Sequence, residues 1–90
     1  MLTAELHALK VAAEHAIPHW LRGEVQALRS HTQVHVVWPE TGGWLTIRPE
    51  RCGRITLTDH TLDGPREQVL ACPWEVEVEI RRWLGIGPAG

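Results

Sequence analysis

The sequence predicts an α+β domain of two layers: N-terminal helical segments, a four-stranded antiparallel meander and a C-terminal helix. Three observations carry this. Apolar residues recur at three- and four-residue steps from Leu2 to Leu28, then at every second residue from Val34. Loops bearing Pro and Gly separate the alternating runs. A full set of helix start and stop signals frames residues 73–84.

The first element spans residues 2–28. Leu2, Leu6, Leu9, Ala13 and Ile17 line one helical face, and Leu21, Val25 and Leu28 continue it, with Trp20 beside the stripe. Pro18 removes a backbone donor and disfavours the α conformation at Ile17. Either one kinked helix or two helices result; the unbroken stripe favours two on the same core. Ser30 to Gln33 end the helical region.

Val34, Val36 and Trp38 then alternate with His35 and Val37 in a first strand. Pro39–Gly43 is a turn, Trp44–Arg48 a second strand, Pro49–Gly53 a second turn and Arg54–Thr58 a third strand. Asp59–Pro65 is a polar loop. Two readings compete beyond it. Arg66–Cys72 as a strand followed by a helix over Pro73–Leu84 fits Pro at the first helical position, Glu75 and Glu77 early, Arg81 and Arg82 late, and Gly85 after them. A helix over Pro65–Ala71 followed by a strand over Trp74–Ile80 fits the alternation of Trp74, Val76, Val78 and Ile80 with three Glu. The residue-specific caps favour the first.

Ninety residues support a single domain, 1–90, with one modest core. A chain this short buries only about 60–65% of the surface its unfolded form exposes. Aromatic usage is uneven: five Trp, no Phe and no Tyr, so tryptophan carries much of the packing area. The formal charge of −2 disfavours a dedicated polyanion binder. An apolar fraction of 43% argues against intrinsic disorder. No apolar run reaches membrane-spanning length, and neither a secretion signal nor a disulfide framework is evident, so a cytoplasmic protein with reduced Cys52 and Cys72 is expected.

Strand alternation divides the meander into two faces. Leu45, Ile47, Ile55 and Leu57 should lie beneath the helices, leaving Trp44, Thr46, Arg48, Arg54, Thr56 and Thr58 opposite. Trp44 is thus a large aromatic on a polar face. On the last helix, Trp74 and Val78 fall off the apolar stripe made by Val76, Ile80, Trp83 and Leu84. Trp44, Trp74 and Val78 are therefore the expected protein-interface residues, with a protein partner or a second copy of the chain as occupant. A dimer would also offset the small core.

Two other chemistries are weighed. Arg48, Arg51, Arg54 and Trp44 combine positive charge with a stacking surface, as weak, salt-sensitive nucleic-acid binding requires. Residues 22–54 hold five Arg against three Glu, whereas residues 59–79 hold one Arg against two Asp and four Glu. A small hydrolase or nuclease would centre on His60 in the loop Asp59-His60-Thr61-Leu62-Asp63-Gly64, with Cys52 or Cys72 as candidate nucleophiles. No motif ties nucleophile, base and orienting group together. His15 and His19 have the spacing of a helical metal pair, but Pro18 lies between them and Ala16 stands where a zinc protease carries Glu; no metal or cofactor is expected. Many small adaptors, secretion chaperones, immunity proteins and compact ribonuclease toxins share this order of elements, which carries no function by itself.

Overall fold

Helix α1, Thr3–Ala16, turns Leu6, Leu9, Ala12, Ala13 and Ala16 inward and leaves Glu5 and Glu14 in water. It belongs to a computed structural model that describes residues 3–61 and 64–87; Leu2, Leu62 and Asp63 lie outside the described residues. The helix stops before Pro18, as its ring and missing N–H require. No second helix succeeds it. A single 3₁₀ turn, His19–Leu21, leads into strand β1, Gln26–Arg29.

This corrects two expectations together: residues 26–29 are extended, and the sheet has five strands rather than four. The reason is pairing. Val34–Trp38 forms β2, and its His35 and Val37 would direct backbone groups into empty space unless a strand lay beside them. Leu21 and Val25 keep the stripe's buried positions, but Leu28 is 49% exposed on the opposite side of the sheet from Ala27. By Leu28 the period is already two.

The remaining elements match the sequence closely: β3 Gly43–Pro49, β4 Ile55–Asp59, β5 Arg66–Leu70 and α2 Pro73–Trp83. Residues 66–84 are therefore strand then helix. The sheet runs β1-β2-β3-β4-β5 with every neighbour antiparallel. Pro73 opens α2, Glu75 accepts a bond from the Ala71 N–H at 2.7 Å, and Gly85 closes the helix at φ 77°.

Both helices cover one face. Val34, Val36, Leu45, Ile47, Ile55, Leu57 and Leu70 pack there with Leu6, Leu9, Val76 and Ile80 in a single core. Trp38 and Trp83 meet edge to face at its margin, ring centres 6.2 Å apart. Trp83 also lies over Gly43, where a Cβ would come within 2.7 Å of its ring. Glycine is needed there for close approach. No helix among the described residues is long and apolar enough to cross a membrane.

Candidate interaction surface

The opposite face of the sheet has no layer over it among the described residues. Cross-strand register places Leu28, His35, Thr46, Thr58 and Glu67 in a middle row across it, flanked on one side by Val37 and Trp44 and on the other by Arg48, Thr56 and Val69. Leu28, Trp44 and Val69 are exposed at 49%, 42% and 60%. Thr46 and Thr56 are buried on this same face. Side chains standing over them therefore provide the cover.

Trp44 is at the centre of that cover. His60 stacks on its indole with ring centres 4.3 Å apart and an interplanar angle of 26°. The His60 Nε2 lies 3.0 Å from the Thr46 hydroxyl. On the other flank the Trp44 indole N–H donates to His35 Nδ1 at 3.3 Å, the two rings only 16° from parallel. Centres 6.3 Å apart and a bond through the ring edges make this pair side by side, not piled. A shallow hollow of about 340 Å³ opens beside the group, lined by Gln33, Trp44, Arg48, Thr58, His60 and Glu67 among others.

The backbone fixes the cluster. His60 donates its N–H to the Trp44 carbonyl at 2.8 Å, extending the β3–β4 ladder past the end of β4. The Trp44 N–H turns instead to the Thr61 hydroxyl at 3.2 Å, which also accepts the Trp83 indole N–H at 3.1 Å. Thr61 itself is held by Asp59, whose carboxylate accepts its N–H at 2.8 Å. One hydroxyl thus ties the open face to α2.

Arg48 donates to Glu50 at 2.9 Å, and the Thr56 hydroxyl donates to the same carboxylate oxygen at 3.1 Å. The Arg48 bond first, and the Thr56 bond second, hold the Glu50 carboxyl below its ordinary pKa. Arg51 is exposed in the β3–β4 turn. Arg54 lines a separate hollow of about 120 Å³ with Glu5, Ala8, Leu9 and Pro73, at the α1 side of the sheet. The three arginines flank one turn but do not line one hollow.

Trp74 is 70% exposed and Val78 half-buried, both on α2. They occupy the helical layer and Trp44 the uncovered side of the sheet, so the three do not form one surface. Cys52 and Cys72 are free thiols, and no group of three or more His, Cys, Asp and Glu fit to hold a metal occurs among the described residues. Sequence reasoning missed His35 as a partner of Trp44. The available signal was its alternation with Val36, which puts His35 on the Trp44 side once the turn over residues 39–42 sets the register. It also missed Trp20, 69% exposed in the 3₁₀ turn. Comparison of the chain with protein-family models, curated proteins and solved structures gives no match.

Proposed function

We propose that this chain is a small non-enzymatic protein-interaction module, homodimeric, whose uncovered sheet face receives a protein partner. One observation carries the reading. Trp44 stands 42% exposed on that face, at the start of its middle strand, and both its flanks are held by histidine rings. A large aromatic fixed before contact loses little rotamer freedom on binding, which is why tryptophan is favoured at the energetic centres of interfaces. The residues around it supply the polar rim such centres have: Gln33, Arg48, Thr58 and Glu67. The same reading places the protein in the cytoplasm, where Cys52 and Cys72 stay reduced.

The test compares wild-type chain and Trp44→Ala as baits in extracts of the source cells, with circular dichroism confirming that both are folded. A protein held by the wild type and released by the variant is the expected result. Equal retention of every bound protein overturns the reading.

A second reading, hydrolysis centred on His60, is favoured by the hollow that gathers His60, Arg48 and Glu67. It requires His60→Ala to abolish cleavage of an ester or oligoribonucleotide at unchanged melting temperature. Nucleic-acid binding through Arg48, Arg51, Arg54 and Trp44 has less support, since Glu50 shares the Arg48 charge and Arg54 borders another hollow.

A further inference from the structure

We infer that the outer edge of β1 is the seam of the homodimer, two copies pairing β1 with β1 in antiparallel fashion about a two-fold axis at Leu28. This rests on the self-association proposed above, and not on docking at Trp44.

Hydrogen-bond parity along the sheet supplies the first argument. The Ser30 N–H donates to the Gln33 carbonyl at 2.9 Å, so Ser30 and Gln33 form a bonded pair at the end of the β1–β2 hairpin. Bonded and non-bonded pairs alternate in an antiparallel ladder, which makes Leu28–His35 and Gln26–Val37 the next bonded pairs. Two distant bonds, His60 N–H to Trp44 carbonyl and Glu50 N–H to Arg54 carbonyl, give the same parity when counted across from β3 and β4. Ala27 and Arg29 therefore direct their N–H and C=O groups outward. An axis at Leu28 sets Ala27 opposite the partner's Arg29 and brings all these outward groups of the strand into bonds.

The two edges of the sheet differ in their protection. Edge strand β5 exposes an apolar residue, Val69, but Arg66 and Glu67 on the same strand are charged and exposed, and Gln68 is tied to Glu79, which Arg82 holds in turn at 2.9 Å. Charged side chains along an edge discourage further pairing. The only charge in β1 is Arg29 at its end, and Leu28 stands 49% exposed at its middle. In the proposed register Leu28 faces its own copy in a non-bonded pair, where side chains approach most closely. The exposed leucine is thereby covered.

The chemistry beside the edge suits a second copy. A hollow of about 490 Å³ lies along β1, lined by Glu14, Ile17, Arg22, Val25 and Ala27 among others. Arg29 shares the helix-covered face with Ala27, so pairing carries the partner's Arg29 to the mouth of this hollow. Glu14 on α1 is the carboxylate there, half of its side chain in water. Lys10 shares it at 3.3 Å and Arg22 lines the same hollow, so the partner's Arg29 enters a mixed-charge site in which Glu14 is its acceptor. The contact is repeated by symmetry, as an isologous interface requires.

Disulfide trapping in a Cys52→Ser, Cys72→Ser background tests the seam, because non-bonded pairs place Cα atoms about 4.5 Å apart, within disulfide reach. Leu28→Cys should oxidise quantitatively to a covalent dimer, and Arg29→Cys should not. Wild-type chain should sediment at twice its 10.2 kDa. Ala27→Pro, which removes an outward-facing donor that the monomer does not use, should sediment as a folded monomer. Trp44→Ala should remain dimeric. A dimer that Leu28→Cys fails to trap, or that Ala27→Pro leaves intact, overturns the seam while sparing self-association. A wild-type monomer overturns both, and dimer loss in Trp44→Ala moves the contact to the open face.

Discussion

The Trp44 indole N–H points at His35 Nδ1 across 3.3 Å, and that single bond fixes the chemistry of a ring two residues from Gln33. An acceptor Nδ1 leaves the proton of neutral His35 on Nε2. The atom 3.4 Å from that nitrogen is the Gln33 side-chain nitrogen, so this tautomer requires the Gln33 amide to be flipped end for end to present its oxygen. Trp44, His35 and Gln33 then form one directed chain of donors.

Nitrogen chemical shifts of the imidazole can read this directly. His35 should show the Nε2–H tautomer in neutral solution, and Gln33→Leu should weaken that preference without unfolding the protein. An Nδ1–H tautomer in the wild type would mean that the indole bond is absent in solution.

Trp44 contributes surface chemistry more than core stability. Trp44→Ala removes one stacked pair and one exposed hydrogen bond, for an expected loss of about 1–2 kcal/mol in urea unfolding. A loss of several kcal/mol would instead identify a core residue.

Gly43 and Trp83 form a tighter relationship. A methyl group at Gly43 would meet the Trp83 ring at 2.7 Å, and that ring is braced against Trp38. Gly43→Ala should therefore cost about 1–3 kcal/mol by overpacking. Added to Trp83→Leu, the same change should cost markedly less, a coupling that a double-mutant cycle reads.

Glu50 sets an acid-side dependence. Its carboxyl is bound below its ordinary pKa in the folded chain, so it binds fewer protons there than when unfolded. Its contribution is complete above the unfolded pKa and disappears as pH falls through the lowered native value. Glu50→Gln should flatten the acid limb of a stability–pH profile and leave the neutral region little changed. An unaltered acid limb would show that the Arg48 and Thr56 bonds do not persist in solution.

How much of the fold is legible in the sequence depends on range. Strands β2 to β4 announce themselves through alternation and turn residues, whereas β5 shows no alternation and is separated from a helix–strand alternative only by the caps of α2. All of these signals act within a few residues. Strand β1 has no such signature. Ala27 is a weak strand former, and Leu28 sits at a spacing that fits the helical stripe begun at Leu2. Its extended state is imposed by β2, a neighbour reached through the Ser30–Gln33 turn. The site shows the same division. Alternation alone put Trp44 on the open face, whereas its contacts with His35 and His60 needed the register of β2 and the chain path beyond β4. Pairing information of that kind is not local.

The order of strands also has a kinetic consequence. Every rung of the sheet joins neighbours in sequence, so the meander can grow hairpin by hairpin with short closures. The packing of α1 on α2 is different: Arg81 reaches the Ala16 carbonyl across 3.4 Å and 65 residues of chain. That closure is entropically the most expensive and should come last, after the sheet offers a template for both helices. The helix pair would then act as a latch, setting how slowly the molecule opens while hairpin formation sets how quickly it closes.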